Sequence, residues 1–372
     1  MELKNSAMFL AMLVVISAFT GCLGDDDDDT TTSNPGEDGG YEYATNVDSH
    51  RLLVDDVCDI KALVEEFKWS EIETIYKDGV HSDKGSSMRT LQGFASAEGK
   101  MHPYDDYYGE TGSIDKFVMS AIEGTGDFAN ASNSVREQAI EKGIQNLLMT
   151  AYVIHELNTA IDKETKGTAN AVHNWDEGWA FFHGASPGCG PYATGGKRAD
   201  NFGTDNPSLA ILEAMKAGRD VLNNDGVTTE QDHADEVVKN LVITYSQAAI
   251  RYASKMTTDE TLAAAETHQS EGMAFFMVIE PLVGIHTSGC YNTETHNVTY
   301  TNETDCNAKT DGTYMWVENW GADEIMSKVY DLSMNLTEER EEGFDFKAEV
   351  EKHLQPAWDH YGITSTDIGT LQ

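Results

Sequence analysis

Residues 146–182 read NLLMTAYVIHELNTAIDKETKGTANAVHNWDEGWAFF, and residues 240–276 read NLVITYSQAAIRYASKMTTDETLAAAETHQSEGMAFF. Written one above the other at a constant offset of 94, they match without a gap at Asn146, Leu147, Thr150, Ala169, Ala171, Glu177, Gly178, Ala180, Phe181 and Phe182. So many identities at one spacing mark an internal repeat. Apolar residues in each copy recur at helical spacing. Each copy therefore reads as a helical hairpin whose second helix carries Glu-Gly-x-Ala-Phe-Phe. Two such hairpins packed about a pseudo-twofold axis predict an all-α fold around a four-helix core.

Outward from the repeat, residues 136–160, 168–182, 209–222, 232–255, 259–279 and 322–332 carry helical periodicity. Strand-like alternation is confined to residues 314–317. Gly- and Asn-rich stretches at 184–206, 223–229 and 287–312 read as long loops, which in compact domains are functional or pinned by disulfides.

The chain has 372 residues, with 64 acidic and 25 basic side chains and a formal net charge of −39. Such a surface repels phosphates, which excludes ordinary nucleic-acid binding. It suits salt tolerance and attracts cations. The start is an address and not part of the fold. Lys4 precedes an apolar run at 9–19, too short to span a bilayer comfortably, and Thr20-Gly21-Cys22 follows. This is similar to the lipobox of prokaryotic lipoproteins, with Cys22 as the lipidated residue, though Phe19 is unusual there. Asp25 to Asp29 and the Thr- and Gly-rich residues after them form a low-complexity acidic tether. The organisation expected is a leader and anchor at 1–22, a disordered tether at 23–45, and one helical domain at 46–372. That domain would sit outside the cell on a lipid leash.

Cys58, Cys189, Cys290 and Cys306 remain, an even number in an oxidising place. Three connectivities are open. Cys290 with Cys306 is the local choice, which leaves Cys58 with Cys189. No CxxC spacing supports a zinc knuckle or a thiol redox site.

Glu177 and Glu271 resist a packing explanation. Each immediately precedes the most apolar part of its helix, where a carboxylate is costly unless paired or metal-bound. His173 lies one turn before Glu177, and His268 lies three residues before Glu271, on shared helical faces. His155-Glu156 follows Tyr152 by about a turn, and Asp176 adjoins Glu177. The pseudo-symmetry would bring Glu177 and Glu271 together, with His155, His173 and His268 nearby as metal ligands. Asp176 and Glu156 would be ligands or their supports. Imidazole with carboxylate suits iron or another first-row metal.

Other chemistry finds little support. His155-Glu156 lacks the second histidine of a zincin, and no Gly-x-Ser-x-Gly, P-loop or dinucleotide fingerprint occurs. Asn224-Asp225-Gly226 has Val221 where a calcium loop needs Asp, and 307–318 has Lys309 at a ligand position.

Several segments together resemble the algal periplasmic iron-assimilating proteins induced by low iron or high carbon dioxide. They are residues 75–95 (IYKDG…MRTLQGFA), Tyr152 to Leu157 (YVIHEL), His173 to Glu177 with Ala180-Phe181-Phe182, and Lys197 to Thr204 (KRADNFGT). Ala249 to Ala253, Glu271 to Phe275, Tyr361 to Thr364 and Asp367 follow in order. The family pattern has cysteines where this chain has Ala199 and Asp205, so one disulfide is missing. The resemblance implies iron acquisition outside the cell. Arg89, Arg198 and Arg251 lie in its segments, and with Tyr152 they could hold ligands or bind a synergistic anion such as carbonate. The reading is a lipid-anchored protein that captures ferric or ferrous iron, or an iron chelate, and offers it to an uptake transporter. A dinuclear metal enzyme such as a ferroxidase, and a non-catalytic acidic surface module, stay open as alternatives.

Overall fold

The computed structural model describes residues 36–223, 228–309 and 312–372. The expected leader with Cys22, most of the expected tether and Asn224-Asp225-Gly226 lie outside the described residues. From the N-terminus come β1 (Glu37–Asp38), β2 (Tyr41–Glu42), α1 (Asp48–Arg51), α2 (Leu53–Val64), α3 (Trp69–Asp78), α4 (Leu91–Ala95), α5 (Tyr104–Tyr108) and α6 (Ser113–Glu123). Next, α7 (Asn133–Lys142) runs through a π-helical segment, Gly143–Leu148, into α8 (Met149–Lys166). The central helices are α9 (Ala171–Phe182), α10 (Tyr192–Phe202), α11 (Pro207–Leu222), α12 (Glu230–Thr258) and α13 (Leu262–Val283). A smaller region holds β3 (Gly289–Asn292), β4 (Val298–Thr299), α14 (Glu303–Asn307), β5 (Tyr314–Val317) and α15 (Trp320–Ile325), which continues as a π segment, Met326–Tyr330. Then follow α16 (Leu336–Glu342), α17 (Phe346–Tyr361) and α18 (Ser365–Ile368).

The fold is all-α, and both repeat copies fall on helix pairs. Helix α8 packs on α9, and α12 packs on α13; α7 lies against α13, and α11 and α17 lie against α12. A single apolar core runs through these contacts. Its helices start where their capping residues place them. Thr229 and Asp232 form a capping box at α12, and the Thr261 hydroxyl caps α13. Glycine sets the close approach where α11 meets α9. A Cβ on Gly218 of α11 would lie 2.0 Å from the Trp175 ring, so only glycine lets α11 meet α9 there. Trp175 then donates its indole N–H to the Met215 carbonyl at 2.8 Å.

The ends and loops differ from expectation in three ways. The tether ends before residue 45, because β1 and β2 pair antiparallel and bury Tyr41 and Tyr43. Tyr41, Tyr43, Thr45 and Val47 alternate at strand period, and Tyr41 stacks on Trp179 at 5.4 Å between ring centres. Residues 184–206 contain α10, whose inward face is Thr194, Gly195, Arg198, Ala199 and Phe202. That face is mostly small or polar, so apolar periodicity could not announce it. Residues 287–312 contribute to a three-stranded sheet in the order β4-β3-β5, with the expected strand at 314–317 as its third member. The helices α2 and α17, each with a buried apolar stripe, add to those read from periodicity.

The disulfides are Cys58–Cys189 and Cys290–Cys306. Among the described residues, no helix is long and apolar enough to cross a membrane.

Candidate metal centre

Glu177 is 3% exposed, so its charge must be met within the protein. His173 stands one turn earlier on α9, and its Nε2 lies 3.2 Å from Glu177 Oε1. His50, from α1, brings Nδ1 to 3.0 Å from the same oxygen. Two imidazole nitrogens thus converge on one carboxylate oxygen.

A relay fixes His173. Asp176 accepts from the Tyr41 hydroxyl (2.7 Å), the backbone N–H of Ala44 (2.9 Å) and Thr45 (2.8 Å), and the Thr45 hydroxyl (2.8 Å). Burial pushes the Asp176 carboxyl up to about 6, against the pull of these donors, so at neutral pH it is the ionised acceptor. The Thr45 hydroxyl proton is committed to Asp176, so toward His173 Nδ1, 2.9 Å away, Thr45 can only accept. His173 therefore carries its proton on Nδ1. Its Nε2 faces Glu177 either as a lone pair or with a second proton. Hydrogen bonding of the far ring nitrogen through a hydroxyl to a carboxylate is how metal-ligating histidines are oriented.

Glu156 completes the buried group. Asn174 donates to Glu156 Oε2 at 2.7 Å and to Glu177 Oε2 at 3.1 Å, so one amide ties the two carboxyls. Burial disfavours charge on Glu177, but His50 and His173 outweigh it and hold that carboxyl well below the usual range. For Glu156, burial and then the Glu177 charge push the carboxyl well above it. The pair keeps one charge, on Glu177, and one proton, on Glu156. A bound cation would supply the charge that releases that proton.

His155 lies at the edge. Its Nδ1 accepts the Met101 backbone N–H at 2.8 Å, which places the ring proton on Nε2, 3.9 Å from Glu156 Oε1. Burial, and then Lys100, lower its pKa to about 3. It is a neutral donor whose lone pair is used. Tyr152 donates to the Phe94 carbonyl at 2.7 Å, and Phe94 packs against His50 and Phe181. Arg89 donates to Ser49, next to His50, at 2.9 Å.

The shared site expected from Glu177 and Glu271 is not what the fold builds. His268 pairs with Asp259 at 2.7 Å and lies 3.0 Å from Lys255 Nζ. Glu271 lies 3.8 Å from Lys142 Nζ. Arg198 and Arg251 both sit over Tyr252 of this second cluster, at 5.6 and 5.1 Å from the ring centre. None of these contacts includes a residue of the first cluster. The repeat register explains the split. Glu271 matches Glu177, but Thr267 replaces His173, while Ala249 and Ile250 replace His155 and Glu156. His268 falls on the place of Asn174. The second copy keeps the glutamate and surrounds it with cations, which disfavours a metal ion there.

His50 was absent from the sequence reading, since it stands 127 residues before Glu177. One signal could have found it. It shares a helical stripe with Val47, Val54 and Val57, all buried, and a histidine on an apolar stripe needs a partner.

The buried group of His50, His173, Glu177 and Glu156 offers nitrogen and oxygen donors of the kind a first-row transition ion accepts, although its donor atoms are not all within 4.8 Å of one another and would have to close around an ion. The family model for low iron-inducible periplasmic proteins, Fea1, matches residues 13–278, more than half of the chain. No curated protein and no solved structure matches it.

Proposed function

The chain belongs to the family of low iron-inducible periplasmic proteins, and from that premise we propose that it captures iron outside the cell for assimilation. His50, His173 and Glu177 are the ligands, and Glu156 joins them when it gives up its proton. The supporting observation is the convergence of His50 Nδ1 and His173 Nε2, at 3.0 and 3.2 Å, on Glu177 Oε1. Asp176 acts through Thr45 to aim His173, and His155 and Tyr152 wall the centre. His268 and Glu271 take no part in holding this ion. The ion is cargo. Cys22 anchors the chain to the membrane through lipid, and the held iron passes to an uptake transporter.

Of the three arginines, Arg89 is the one whose surroundings support an anion-binding role. With Tyr152, Phe94 and Lys100 it lines a cavity of about 210 Å³ whose cationic side chains suit a small anion such as carbonate. Arg198 and Arg251 belong to the second cluster instead.

The test is Glu177→Gln in the full chain. Iron per chain, measured by elemental analysis after dialysis, should fall from about one equivalent to none, with helical circular dichroism unchanged. Retention of a full equivalent would sink the site.

A further inference from the structure

A second set of donors lies past the residues matched by the family. Glu324 stands on α15, and Glu349 and His353 stand one turn apart on α17. One donor atom from each lies within 4.8 Å of the other two. His353 Nε2 is 2.9 Å from Glu349 Oε1 and 3.9 Å from Glu324 Oε2. Spacings of 2.9 and 3.9 Å fit around one ion with ligand distances of roughly 2.0–2.2 Å, whose ligands lie at most about 4.4 Å apart.

His353 is 2% exposed, so its ring is held in place. Its Nδ1 meets the Tyr300 hydroxyl at 2.6 Å. A hydroxyl can donate or accept, so Tyr300 supports either tautomer, including the one that leaves the Nε2 lone pair for a cation. His155 has no such freedom, because a backbone N–H can only donate. The cluster opens on a cavity of about 320 Å³ between the small sheet and the helices, walled by Tyr291, His296, Tyr300 and Trp320.

We propose that Glu324, Glu349 and His353 form a second cation site, separate from the iron centre, that takes a divalent first-row transition ion. Two carboxylates balance the ion's charge, and Tyr300 orients the imidazole. Lys328 competes with an ion for the same two carboxylates. It pairs with Glu324 and lies 3.9 Å from Glu349 Oε1, and its side chain is 48% exposed. It can therefore swing into water when a divalent ion replaces it. Lys352, 3.4 Å from Glu349, is more exposed still and remains outside.

The experiment titrates the full chain with manganese(II) alone, read by electron paramagnetic resonance, with magnesium in excess to occupy scattered carboxylates. The double variant Glu324→Gln/Glu349→Gln should lose one equivalent. Glu177→Gln should keep that equivalent, so failure of the iron centre and failure of this site read differently. Lys328→Met, an exposed change that does not threaten folding, should bind manganese about fivefold more tightly, the upper range for one partly exposed competing ion pair. A folded double variant with wild-type stoichiometry overturns the proposal, as does a Lys328→Met chain with wild-type affinity. Either result would leave the cluster a lysine–carboxylate network alone.

Discussion

One hydroxyl directs the proposed iron ligand. The Thr45 hydroxyl donates to Asp176 and accepts from His173, and so turns the His173 Nε2 toward Glu177. Thr45→Val removes that acceptor while keeping the volume. Iron affinity should drop about tenfold, the low end for loss of a ligand's orienting partner, and Thr45→Ser should restore it. Equal affinity in all three chains, by competition with a chelator, would remove Thr45 from the mechanism. At this scale the sequence was legible where chemistry is local. His173 and Glu177 are one turn apart, so helix geometry alone pairs them. His50 and Thr45 arrive from a different segment, and no periodicity connects them to α9. His268 misled for a related reason. It shares a helical face with Glu271, but it takes the place of Asn174 and turns to Asp259.

The α8–α9 and α12–α13 hairpins were readable because apolar side chains recur along them at helical period. Helix α10 was not, since its buried face is built of Thr194, Gly195, Arg198 and Ala199. The β1–β2 hairpin was hidden behind the acidic tether, although its tyrosines alternate. One crosslink joins elements that the centre needs. Cys58 of α2 is bonded to Cys189, 131 residues later and just past α9. It fastens the N-terminal layer that carries His50 to the end of the helix that carries Glu177. Closing a loop that long stabilises the fold by about 3–5 kcal/mol, chiefly by restricting the unfolded chain. Cys58→Ser/Cys189→Ser should lower denaturant stability by that order and weaken iron binding as His50 loosens. Unchanged iron affinity in the reduced-stability variant would show that packing alone holds His50.

The whole chain carries −39 net charge, and several of its carboxyls are buried. Burial pushes Glu280 up to about 7, although Tyr108 donates to it at 2.6 Å. Burial likewise pushes Asp56 up to about 6. Their ordinary values are 4.5 and 3.8, so the folded state holds these protons more tightly than the unfolded chain does. The stability they contribute is complete below about pH 4 and is lost as pH rises through about 6–7. Charge repulsion across the surface grows in the same direction. The melting temperature should therefore fall between about pH 5 and pH 8, and Glu280→Gln should flatten that fall. A parallel decline in both chains would remove Glu280 as a source. The sequence by itself determined the helical class and the His173–Glu177 pair and favoured the local Cys290–Cys306 bridge, since each rests on short-range spacing or on composition. Tertiary structure alone decided that Glu177 and Glu271 sit in separate clusters, that His50 completes the first, and that Glu324 meets Glu349 and His353. Those meetings depend on how helices cross, and crossing is set by packing between residues far apart in the chain.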